Sequence, residues 1–187
     1  GPGGMGSNHL NLLSKRKDID LRWVCDVDQP RLAKALETAT GGGHSTKATA
    51  DMREVLADDK VDAVFIATPD HWHAPAAILA LDAGKHVYVE KPCCHNVREG
   101  QLMAEAVARS GKKLQVGTQS RSTPCVMAGI ERVLKGEIGE VLVAKAWNSQ
   151  RRGSIGKTPP SEPPKSLDFD NWTGPAPVTP YRTNLLP

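Results

Sequence analysis

The chain has 187 residues, with 24 basic and 21 acidic side chains and a formal net charge of +3. That balance is too even for a charge-driven nucleic-acid or membrane-surface binder, and no run of about 18 apolar residues exists to form a transmembrane helix. Four cysteines, Cys25, Cys93, Cys94 and Cys125, have neither disulfide nor zinc spacing; adjacent cysteines rarely chelate one ion together, so no metal site is expected.

The chain opens on Gly1-Pro2-Gly3-Gly4-Met5-Gly6, which fits G-x-G-x-x-G with Gly1, Gly3 and Gly6 at the fixed places. In a dinucleotide site the first glycine makes a tight turn, the second lets backbone approach the pyrophosphate, and the third lets helix pack on strand. A helix is expected over 4–17, with Met5, Leu10, Leu12 and Leu13 as its apolar set; its first N–H groups are free to meet phosphate. Such a loop ordinarily follows a strand, and here it begins at residue 1. The expectation is a fragment whose missing strand is the central one of a 3-2-1-4-5-6 sheet. Any targeting peptide would lie further upstream, so the compartment stays open.

Residues 20–27 read as the next strand, and Asp26 lies 20 residues after Gly6. An acid at that place can accept both ribose hydroxyls of an adenosine. Residues 29–39 read as a helix with Leu32, Ala33 and Leu36 on one face, broken by Gly41-Gly42-Gly43. A short strand follows over 47–50, then Asp51 caps a helix that runs through Leu56. Residues 61–68 (VDAVFIAT) form the near-continuous apolar run of a buried parallel strand. Thr68-Pro69-Asp70-His71-Trp72-His73 stands at its carboxyl end, and a helix over 74–83 is stopped by Gly84.

Val87-Tyr88-Val89 reads as a short buried strand running into Glu90-Lys91-Pro92. The carboxyl edge of a parallel sheet faces the crevice where ligands bind, and Pro92 prevents the strand from continuing. One ammonium, that of Lys91, is thus held at a defined point on the sheet edge, and Lys91 is the candidate catalytic residue. A helix over 97–110 turns Leu102, Met103, Ala106 and Val107 inward, and a strand over 114–116 ends at Gly117-Thr118-Gln119. Alternating strand and helix indicate an α/β doubly wound parallel sheet.

After about Ser122 the texture changes. An amphipathic helix is expected over 126–135 and a longer strand over 140–147 (EVLVAKAW) with one solvated or ligand-facing side. Beyond Arg151 periodicity is lost, and eight of the 14 prolines lie between Pro159 and Pro187. That stretch cannot build its own core; it reads as a linker, or as a loop lying over a domain the sequence does not contain. The expected division is a Rossmann domain over 1–121, lacking its first strand, and the incomplete start of a substrate and oligomerisation domain over 122–187.

These residues resemble the Gfo/Idh/MocA family of oxidoreductases, which includes glucose–fructose oxidoreductase and inositol dehydrogenase. The likeness rests on GPGGMG, CDVD, TPDHWHAPAAILALDAGKHVYVEKP, QVGTQSRS, KGEIGEV and WTGPAP. It implies a Rossmann domain followed by an α/β domain with a mostly antiparallel sheet. It also implies NAD as cofactor, with NADP possible, and a homo-oligomer at full length. By that resemblance Gly1, Gly3 and Gly6, with Gly4 and Met5 of the same loop, meet the pyrophosphate. Asp26 meets the adenosine ribose. Thr68 and Pro69 line the groove, and His71 and His73 stand beside it, His73 at the nicotinamide half. Glu90, Lys91 and Pro92 match the family's Glu-Lys-Pro, with Lys91 facing substrate and nicotinamide ribose across a cis Lys91–Pro92 bond. Gln119 and Arg121 match a stretch near the active site. The family's second catalytic pair, an aspartate and a histidine, would lie beyond Pro187.

The function implied is hydride transfer between nicotinamide and a sugar, polyol or related hydroxy compound. Two alternatives stand beside it. One is an NAD-dependent glycosidase that uses transient oxidation, told apart by release of free sugar without net NADH. The other is a non-catalytic dinucleotide-binding module, since fold does not fix function; a histidine and aspartate in downstream sequence would speak against it.

Overall fold

A computed structural model describes residues 1–149, 151 and 153–185; Pro187, the last proline of the proline-rich stretch, lies outside the described residues. Helix α1 (Gly4–Leu13) leads to strand β1 (Trp23–Cys25), helix α2 (Gln29–Gly41), strand β2 (Lys47–Thr49) and helix α3 (Met52–Ala57). Strand β3 (Ala63–Ile66), helix α4 (Asp70–Asp82), strand β4 (His86–Glu90), helix α5 (Val97–Ser110) and strand β5 (Leu114–Gly117) complete the alternation. A 3-10 turn (Gln119–Ser122), helix α6 (Pro124–Leu134) and the short helix α7 (Phe169–Thr173) follow.

All strand pairs are parallel. β1 pairs with β2, Val24 opposite Ala48. β3, β4 and β5 form a second sheet in that order, with Ile66 opposite Val89 and Glu90 opposite Gly117. Between β1 and β3 runs a groove of about 690 Å³, walled by Val24 on one side and Val64 and Phe65 on the other. With that groove counted as one position, the order is that of a doubly wound sheet whose central place falls between the two halves.

The larger core lies where α4 and α5 cover one face of the second sheet. Ala74, Ala77, Ala80 and Leu81 of α4 meet Val87, Val89, Met103 and Ala106. Alanines let the helix axis approach the strands closely, and the fully buried Leu81 fills the space that remains. Leu10, Val24, Leu32, Ala35 and Ala39 form the smaller core.

Four expectations need correction. Ala33, expected on the inward face of α2, is exposed, and Ala35 and Ala39 join Leu32 inside instead. The 61–68 run is not buried throughout, because Phe65 is 46% exposed. Val64 and Ile66 face α4 and α5, whereas Phe65 faces the other side, against the rings of His9 of α1 and Tyr88. In α1 only Leu10 reaches the core; Leu12 is exposed, and the helix stops at Leu13, capped by Ser14 N–H on Leu10 O. No strand forms over 140–147, where Val141, Leu142, Val143 and Trp147 are all exposed. A strand needs a hydrogen-bonded neighbour, and among the described residues this segment has none. The adjacent α6 likewise turns Val126, Met127, Ile130 and Leu134 to solvent.

The proline-rich stretch lies over the nucleotide-fold part of this same chain. Gln29 N–H donates to Ser166 O, Asp168 N–H donates to Val27 O, and Asp28 and Leu167 form an antiparallel bridge. Leu167 and Tyr181 are each only 6% exposed. The segment has no core of its own: Leu167 is placed by its bridge to Asp28, and Tyr181 meets Phe169 of the same segment edge-on.

Candidate functional site

The carboxyl ends of β1, β3 and β4 open onto one cavity of about 600 Å³. Its size is that of a small-molecule or cofactor site. Gly1, Gly3, Gly4 and Met5 of the opening loop line one end. Gly6 does not reach the cavity: a Cβ there would sit 2.1 Å from Gly1 O, so the residue is held against the loop itself. A Cβ there would also meet Ala67 Cβ at 3.4 Å, just past the end of β3.

Asp26 follows directly after β1 and lines the same cavity. Its Oδ1 accepts the Asp28 amide at 2.9 Å, which holds the carboxylate in place. Asp28 in turn caps α2 by accepting from Arg31 N–H, and Arg31 also borders the cavity. Cys25 stands beside Asp26, and burial pushes its thiol up to about 11.

Thr68 and Pro69 line the cavity beyond β3. The Thr68 Oγ1 is buried and has no hydrogen-bond partner among the described residues. A buried hydroxyl of that kind is a point where a bound polar group gains a contact.

β4 delivers Glu90 and Lys91. Glu90 is 3% exposed, and its carboxylate is met by three donors. His9 Nε2 lies 2.7 Å and Gln119 Nε2 2.5 Å from Oε1, while Lys91 N–H reaches Oε2 at 3.2 Å. Lys91 follows on an exposed turn with a cis bond to Pro92, and its side chain borders the cavity. Gln119 therefore acts on Glu90 rather than on the cavity. The Tyr88 hydroxyl behind it is pushed up by burial and by the Glu90 carboxylate.

His73 is 1% exposed. Its two ring nitrogens face two carbonyls, Nδ1 to Pro92 O at 2.6 Å and Nε2 to Thr68 O at 2.9 Å, and the tautomer sets which of the two receives the N–H. It thus ties the turn after β4 to the end of β3, and Pro92 enters the site through that tie. His71 borders the cavity and donates from Nε2 to Trp172 O at 2.9 Å.

Sequence reading missed several residues. His9 stands one helical turn after Gly6, a spacing that could have flagged it. Leu167, Asn171 and Trp172 line the cavity opposite the glycine loop. Of these only Trp172 belongs to the WTGPAP phrase, which carries no local indication of where it docks.

Residues 1–118 match the family model described as "Oxidoreductase family, NAD-binding Rossmann fold" of the Gfo/Idh/MocA group. A "Glycosyl hydrolase family 109 protein 1" of Shewanella sp. (strain MR-4) is 28% identical over 151 residues, covering 78% of this chain and 33% of its own length. A structure described as "Levoglucosan dehydrogenase, complex with NADH and levoglucosan" is 30% identical with a TM-score of 0.65, covering 76% of this chain and 40% of that one. The myo-inositol 2-dehydrogenase of Lactobacillus plantarum is 25% identical with a TM-score of 0.67, over 75% of this chain and 41% of that one. The chain thus spans about a third of the length of the curated relative. With a parallel sheet, a glycine loop and a Glu-Lys-Pro edge around one cavity, the chain belongs to the Gfo/Idh/MocA oxidoreductase family.

Proposed function

We propose that this chain carries the dinucleotide-binding part of an NAD-dependent oxidoreductase acting on a sugar, polyol or related hydroxy compound. The observation that carries the reading is that Lys91 shares one cavity with Gly1, Gly3, Asp26 and Thr68. The donor set suits NAD. The glycine loop and the first amides of α1 meet the pyrophosphate, Asp26 accepts from the adenosine ribose, and the unpartnered Thr68 hydroxyl gains a contact. When bound, NAD supplies the hydride acceptor or donor.

The rest falls to side chains of this chain. Lys91 donates a hydrogen bond to the substrate oxygen and stabilises its developing alkoxide character. Glu90 holds the Lys91 amide, and His73 holds the Pro92 carbonyl, so the turn bearing the ammonium is fixed from both sides. Fixed placement of that kind lowers the reorganisation needed in the transition state. The substrate class rests on the names of the neighbours, levoglucosan dehydrogenase and myo-inositol 2-dehydrogenase.

The test is titration of the protein with NAD, then NADH formation at 340 nm across a panel of sugars and inositols. Saturable NAD binding and substrate-dependent NADH are expected; absence of both overturns the reading. A second reading is glycoside cleavage through transient oxidation, favoured by the family 109 glycosyl hydrolase relative. Free sugar released from a glycoside with no net NADH would select it.

A further inference from the structure

Residues 166–174 form a strap across the mouth of the cavity, tied at both ends. At the first end Ser166 O accepts from Gln29, Val27 O accepts from Asp168 N–H, and Leu167 bridges to Asp28. These partners follow directly on Asp26. At the second end Trp72 Nε1 donates to Asn171 O at 2.9 Å, and His71 Nε2 donates to Trp172 O. The His71 and Trp172 rings meet edge to face at 5.6 Å.

The strap has an exact steric fit at one point. Gly174 has φ +47, and a Cβ there would stand 2.1 Å from Trp72 Cζ2. The indole therefore lies flush on the Gly174 backbone, which no side chain would allow. Behind the strap Phe169 stacks on Trp172 at 5.6 Å and meets Tyr181 edge-on at 5.2 Å. Trp172 is thus braced from its far side while it, Asn171 and Leu167 border the cavity shared with Gly3 and Asp26.

Four hydrogen bonds and one ring contact are more than a passive tail needs, and all converge on the cavity rim. We propose that the strap is a wall of the dinucleotide site: Leu167 covers the adenosine half beside Asp26, Trp172 covers the stretch beside Pro69, and the Trp72–Gly174 latch governs how fast the dinucleotide leaves. The inference rests on the dinucleotide reading above and adds to it a binding surface outside the residues matched by the family model, which end at 118.

The experiment measures NADH dissociation by stopped flow, following energy transfer from tryptophan to bound NADH. Trp172→Ala and Gly174→Ala are each expected to speed dissociation about tenfold while association changes little, as when a buried aromatic anchor is removed from an interface. Hydrogen–deuterium exchange on the unsubstituted protein supplies the second arm and does not depend on variant folding. NAD is expected to slow exchange of the amides of Trp172, Thr173 and Gly174 together with those of the glycine loop. NADH binding with unchanged dissociation in both variants, or protection of the glycine loop without the strap, overturns the wall and leaves the dinucleotide reading standing. Failure of the unsubstituted protein to bind NADH overturns both.

Discussion

The Glu90 carboxylate lies 2.7 Å from His9 Nε2 and makes no ion pair with the ammonium of Lys91, its neighbour in sequence. The pairing follows from strand geometry. Alternate side chains of β4 share a face, so Glu90 turns with Tyr88 toward His9 of α1, while Lys91 lies past the end of the strand and borders the cavity. A buried carboxylate without donors would be strongly unfavourable; three donors satisfy this one from behind. The lysine is therefore available to a ligand.

Lys91→Met keeps most of the side chain's length and removes its charge. NAD affinity is expected to hold within about twofold, while kcat falls by about a hundredfold or more. Steady-state kinetics alongside NAD titration checks this, and near-normal turnover would remove Lys91 from the chemistry.

His73→Ala removes the ring that packs between the Thr68 and Pro92 carbonyls and donates to one of them, and opens a cavity in the core. A loss of about 2–4 kcal/mol in stability is expected. Urea denaturation followed by circular dichroism measures it, and a change below about 0.5 kcal/mol would show that the ring does not hold the two segments together.

Asp26 lines the cavity, and in the proposed dinucleotide site its carboxylate meets the position of the NADP 2′-phosphate. NAD is expected to bind at least about tenfold more tightly than NADP, and Asp26→Asn to narrow that ratio. Arg31 borders the same cavity, so paired titrations of both forms decide the matter; a native preference for NADP would reverse the assignment.

The Cys25 thiol is raised to about 11 by burial. A raised folded-state value means that the neutral thiol is favoured by folding. Its contribution to stability is whole below the unfolded value near 9 and is lost as pH rises toward 11. At pH 8, iodoacetamide is expected to label the exposed Cys125 well before Cys25, and denaturant to remove the difference. Equal labelling in the native protein would contradict the burial.

The groove between β1 and β3 exposes the backbone edges of both strands, with Leu10, Val24, Val64 and Phe65 around it. Such edges favour association. The chain is therefore expected to self-associate as its concentration rises, read as a concentration-dependent mass in analytical ultracentrifugation; a monomer at every concentration would show that these edges do not act as contact surfaces.

The alternation of strands and helices through Gly117, the glycine loop, Asp26 and the Glu-Lys-Pro edge were all legible in the amino-acid order. Each rests on local chemistry: apolar runs of strand length, glycines where a Cβ would clash, a proline that ends a strand. The His9–Glu90 pair, 81 residues apart, and the His73 bridge to Pro92, 19 residues apart, were not. Nor was the docking of residues 166–174 on Val27, His71 and Trp72, nor the absence of a strand over 140–147. Local propensity says what a segment can become, and only its neighbours in space say what it does. An apolar β-like run stays unpaired where no partner edge meets it, and a proline-rich segment without a core of its own is placed by the surface that accepts its hydrogen bonds and aromatic rings.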